Sequence, residues 1–82
     1  NPFNPTTTLE FHLPQRSKVV IKVFDLLGRE IAVLTNDVRD GGVHRVSWNG
    51  RTTTGTAVAT GVYFCRMDAA GFVETKKMLL VR

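Results

Sequence analysis

The chain reads as an all-β protein, an antiparallel β-sandwich of six to seven short strands. Three observations predict this. Apolar and polar residues alternate with a period of two along most of the 82 residues. Turns rich in glycine, Asn and Asp punctuate that alternation, and no segment carries a convincing helical spacing. Connections of only a few residues favour two stacked antiparallel sheets, each burying one face.

Each element follows from its residues. Leu9, Phe11 and Leu13 line one face of a first strand, with Glu10 and His12 on the other. Residues 14–17 turn the chain. Val19, Ile21 and Val23 form one face of a second strand. Its opposite face, Lys18, Val20, Lys22 and Phe24, is half apolar, so this strand belongs at or near the centre of a sheet. Asp25-Leu26-Leu27-Gly28-Arg29 is a tight reversal. Asp starts it by bonding its own backbone, Gly supplies a positive φ, and Asp25 can pair with Arg29 across it. A third strand takes 30–35, and 36–42, rich in Asn, Asp and Gly, is a loop.

The fourth strand, 43–48, puts His44, Val46 and Trp48 on one face. Asn49-Gly50 is a strong turn signal. Residues 51–60 are rich in Thr and Gly, with room for a short edge strand at 57–59. A long strand at 61–68 places Tyr63, Cys65 and Met67 together, and 69–71 turn into a last strand at 72–81. The expected core is Phe11, Ile21, Val23, Val46, Trp48, Tyr63 and Met67. Tyr63 lies two residues before a strand cysteine, the spacing of the tyrosine corner in immunoglobulin-like sandwiches.

Size allows one domain, 6–82, preceded by the end of a linker at 1–5. Two Asx-Pro dipeptides, Asn1-Pro2 and Asn4-Pro5, disfavour helix and lack ladder donors. The chain therefore reads as a module carried at the C-terminus of something longer. Net charge is +4, but the basic residues are scattered, so a solvated surface is expected and no nucleic-acid partner. One cysteine permits no intrachain disulfide. No run of eighteen apolar residues exists, so no membrane span is expected.

The catalytic inventory is poor. Nucleophile elbow, phosphate loop and Cys-x-x-Cys are absent, so no enzyme, cofactor or metal is expected. His12 faces solvent, His44 is packed or partly covered, and neither lies at zinc-ligand spacing from Cys65. Asp37 and Asp40 serve a turn, with a weak oxygen-ligand ion site in loop 36–42 as the alternative. Cys65 behaves as a small hydrophobe. Trp48 is core, with a sugar-stacking platform as the alternative. The last strand has Met78 and Leu80 on one face and Leu79 and Val81 on the other. Either the rest of the fold covers both faces, or part of the strand is an edge that another protein reads or pairs with.

These residues resemble a known family. The opening Asn1-Pro2-Phe3-Asn4-Pro5 before Thr-Thr-x-Leu-x-Phe is similar to the start of the type A C-terminal sorting domain of type IX secretion. So are the run from Val23 to Glu30, Gly42-Val43-His44, Gly61-Val62-Tyr63-Phe64 and Lys77-Met78-Leu79-Leu80-Val81-Arg82. The resemblance implies an immunoglobulin-like, non-catalytic signal that directs a covalently attached N-terminal host protein through the periplasm and across the outer membrane. Its implied partners are the outer-membrane secretion machinery and a sortase-like peptidase, with the host released or held at the cell surface. On the matching positions, Lys77, Met78, Leu79, Leu80, Val81 and Arg82 would form the recognised strand, supported by Gly61, Val62, Tyr63 and Phe64. The pattern from Gly42 and His44 through Trp48-Asn49-Gly50-Arg51 to Gly55 and Gly61-Val62-Tyr63 also resembles the immunoglobulin-like domain of flagellar hook-capping proteins. That resemblance implies a scaffold in hook assembly. A third reading, a carbohydrate- or surface-binding accessory module of a secreted hydrolase, rests on Trp48 alone.

Overall fold

A computed structural model describes residues 6–82. The linker expected at 1–5 lies outside them. Six strands run in order: β1 (Thr7–Leu13), β2 (Ser17–Asp25), β3 (Glu30–Arg39), β4 (Gly42–Trp48), β5 (Gly61–Ala69) and β6 (Phe72–Leu80). Every pairing among them is antiparallel. β1 and β4 form a two-stranded sheet, and the other four pair in the order β3-β2-β5-β6. β2 takes the central place expected from its one apolar and one half-apolar face: β3 flanks it on one side and β5 on the other.

The sheets share a core of Phe11, Leu13, Val19, Ile21, Val23, Trp48, Tyr63, Cys65, Met67, Met78 and Leu80, with Ala32 and Ala69. Six of the seven expected core residues are buried. Val46 is only partly buried, packed at the margin, because among the described residues β4 has no strand neighbour on the side away from β1.

Two expectations are corrected. The loop expected at 36–42 shrinks to two residues, because β3 continues to Arg39 and pairs Asn36 to Arg39 with Val20 to Ser17. Backbone pairing to a long partner strand overrides the turn preference of Asn and Asp, since each residue added to the ladder satisfies its own backbone groups. The edge strand considered at 57–59 is a single bridge, Arg51 to Ala57. The turn at 25–28 follows expectation. Asp25 Oδ1 accepts from the backbone N–H of Leu27 and of Arg29, both at 2.9 Å. Gly28 takes φ +82°.

Candidate functional site

Eight of the ten residues expected to carry recognition come together in one ladder, and Val81 and Arg82 follow its end. Gly61, Val62, Tyr63 and Phe64 of β5 lie opposite Leu80, Leu79, Met78 and Lys77 of β6. The pleat then divides them. Tyr63, Met78 and Leu80 point into the core. Val62, Phe64, Lys77 and Leu79 lie on the outer face, where Leu79 is 65% exposed. Side chains at 78 and 80 therefore hold the strand, while those at 77 and 79 face outward. Val81 is also exposed.

Arg82 is used internally. Its backbone N–H donates to Thr60 Oγ1 at 3.1 Å. Its guanidinium donates to the carbonyls of Val58 and Gly50. This clamps loop 49–60 to the end of β6. Gly50 takes φ +74°, and a Cβ there would meet Leu80 Cδ1 at 3.1 Å. Sequence reading missed the clamp because its acceptors are backbone carbonyls, which carry no residue signature.

β6 is an edge strand with a guarded inner face. Glu74 and Lys76 alternate inward with Met78 and Leu80. Lys76 Nζ sits 3.8 Å from Glu74 and 5.5 Å above the centroid of the Phe11 ring. Inward-pointing charge on an edge strand opposes open-ended strand addition. The outer face is different. Phe24, Phe64 and Lys77 form one cross-strand row, with Val62 and Leu79 beside it. Leu26 and Leu27 project from the adjoining turn, 70% and 78% exposed. The backbone of that turn is held by Asp25, whose carboxylate also takes Arg29 Nε at 2.7 Å. Hydrogen bonds from the Arg29 backbone N–H and guanidinium and from Leu27 hold its carboxyl below the ordinary value. Two leucines are thus presented on a fixed reversal. Reading both parities of each strand, not the inner one alone, finds this face in the sequence.

The other candidates resolve into structural roles. Trp48 is 1% exposed, donates Nε1–H to the Arg51 carbonyl at 2.8 Å, and meets the Tyr63 ring edge-on at 5.0 Å. A buried indole offers no stacking surface, so the sugar-platform reading is withdrawn. Tyr63 Oη donates to the Ala59 carbonyl at 2.6 Å, the bond that defines a tyrosine corner. Cys65 is fully buried, and burial pushes its thiol up to about 11, away from thiolate chemistry. His12 is exposed, and His44 Nε2 contacts the Asp40 carbonyl at 2.6 Å. Asp37 pairs with Arg39 and Asp40 with Arg16. Among the described residues no three His, Cys, Asp or Glu side chains gather as a metal site, and no helix long and apolar enough to cross a membrane is present.

A family model for the FlgD Ig-like domain matches residues 3–71. It spans β1 through β5 and stops short of β6. Among solved structures, the crystal structure of FlgD from P. aeruginosa superposes with a TM-score of 0.73 at 20% sequence identity. The superposition covers 92% of this chain and 60% of that one, so the chain spans about 60% of the solved protein's length. At that identity the likeness speaks for the fold. No match was found among curated proteins.

Proposed function

Because the chain belongs to the FlgD Ig-like domain family, matched over residues 3–71, we propose that it is a non-catalytic β-sandwich scaffold within a larger protein, of the kind used in flagellar hook assembly. The family match is the observation that carries this reading. The surface agrees with it. What the sandwich offers a partner is a fixed apolar face, Phe24, Leu26, Leu27, Val62, Phe64 and Leu79, and not a reacting group. Such a module works by holding position, outside the cytoplasm at the growing structure.

A second reading keeps β6 as a sorting signal for type IX secretion, placing the host protein outside the cell or on its surface. Its motive is that residues 72–82 lie beyond the family match, while Lys77 and Leu79 face outward on an edge strand. The secretion machinery and a sortase-like peptidase are the partners under that reading, with Lys77, Leu79 and Val81 as the outward contacts.

One pair of assays separates the two. The chain is grafted into P. aeruginosa FlgD in place of its matching region, and hooks are counted by electron microscopy. In parallel it is fused behind a periplasmic reporter in a host with type IX machinery. Hooks without reporter export support the scaffold reading. Export that Leu79→Asp or Lys77→Glu abolishes, with thermal stability retained and no hooks formed, replaces it with sorting. Failure of a folded graft and a folded fusion in both assays removes both readings.

A further inference from the structure

We propose that the open side of the sandwich, between β3 and β4, is an acceptor site for an extended, acidic-and-apolar strand of a partner protein. The inference concerns the fold itself and holds under either functional reading. A two-stranded sheet faces a four-stranded one, and β4 pairs only with β1 among the described residues. Its other edge borders a crevice of about 200 Å³ that reaches the core. Phe11, Ile21, Leu34, Val46 and Met67 line its apolar part. An engineered apolar cavity of about 150 Å³ accepts benzene, so this crevice has room for roughly two aliphatic side chains. Alternate residues of a strand stand about 6.8 Å apart on one face, the spacing such side chains need to enter side by side.

The chain begins the same kind of pairing itself. Thr53 N–H reaches the Ile31 carbonyl at 3.4 Å, and Thr53 Oγ1 accepts from Val33 N–H at 3.0 Å. This loop covers the edge of β3 at Ile31 and Val33. The crevice opens just beyond, at Leu34 and Thr35. The opposite side of the sandwich is closed to such an addition by the inward charges of β6 and the Lys76 contact over Phe11.

Charge selects the occupant. Arg39, His44 and Arg45 line the crevice, and no carboxylate does. Arg39 is held by Asp37 and Arg45 by Glu10, both in exposed pairs that an incoming carboxylate can replace. A strand alternating apolar and acidic residues would place its apolar set in the crevice, its acidic set near the arginines, and its backbone along β4. A second copy is disfavoured as occupant, because each copy carries net charge +4 and brings the same arginines to the crevice.

The test uses the ¹⁵N,¹³C-labelled 82-residue chain and a peptide of about nine residues alternating valine with glutamate, with a valine–lysine peptide as control. The acidic peptide should shift and protect from exchange the amides of Val43 to Ser47, and shift the Leu34 and Val46 methyls. The lysine peptide should bind at least about tenfold more weakly. Arg45→Glu, whose side chain is 75% exposed in the parent, should reverse that preference in a chain that stays folded, with a thermal midpoint lowered only modestly by the Glu10 carboxylate opposite. The proposal is overturned if the acidic peptide perturbs β6 or no defined region. It is equally overturned if the folded Arg45→Glu chain keeps the parent's preference, or if the same amides respond to protein concentration alone, which would make a second copy the occupant.

Discussion

Replacing Trp48 tests the packing logic of the whole sandwich. Its indole is 1% exposed, its N–H is bonded to the Arg51 carbonyl at 2.8 Å, and its ring lies edge-on to Tyr63. Truncating a buried tryptophan costs about 3–5 kcal/mol in lost transfer energy and cavity. A domain of this length has a total stability of about 4–12 kcal/mol, so Trp48→Ala should remove at least about a quarter of it and, at the low end, unfold the chain at room temperature. Trp48→Phe is the measurable companion. It retains an aromatic ring but loses the N–H donor, worth about 1 kcal/mol net. Tyr63→Phe alone reports the Tyr63 bond to Ala59, because phenylalanine keeps the ring contact with Trp48 and loses the hydroxyl. Urea titration followed by circular dichroism, which needs no tryptophan reporter, gives each midpoint and slope. If Trp48→Ala loses under about 1 kcal/mol with an unchanged slope, the indole does not anchor the core and the inter-sheet packing described above is wrong.

The remaining predictions concern Cys65 and the Arg82 clamp. Burial raises the Cys65 thiol from an ordinary 9.0 to about 11. The unfolded chain therefore loses its proton first, and folded stability should fall as pH climbs through that window, being unaffected by this group below it. Cys65→Ala should remove that component from the difference in denaturation midpoint between pH 8 and pH 11; identical pH profiles for parent and variant would refute it. A thiol reagent should likewise label the parent only at the rate of unfolding. Gly50→Ala should destabilise the fold by more than about 1 kcal/mol, through its left-handed backbone and its collision with Leu80. Arg82→Ala should speed amide exchange at Val58 without changing exchange in the centre of β2; uniform acceleration would mean that the clamp is not local.

Much of the sandwich could be read from local pattern because strand periodicity is a short-range property. Alternation at Leu9 to Leu13, Val19 to Val23 and Tyr63 to Met67 names both the strand and its buried face, since a pleated backbone leaves successive side chains no other choice. Gly28 and Gly50 mark turns for an equally local reason: both hold positive φ, which a Cβ resists. Tertiary structure decided what local pattern leaves open. Asn36 to Arg39 joined β3 because β2 was long enough to pair with them, a property of another segment. Val46 fell to the margin because β4 has a single strand neighbour among the described residues, which depends on strand order. Arg82 found its acceptors at Gly50 and Val58, more than twenty residues away in the chain, where the folded path brings those two carbonyls within reach. The crevice by Leu34 and Arg45 is a mismatch between two sheets of unequal width. No single strand encodes it, because edges and gaps exist only after the strands have chosen their partners.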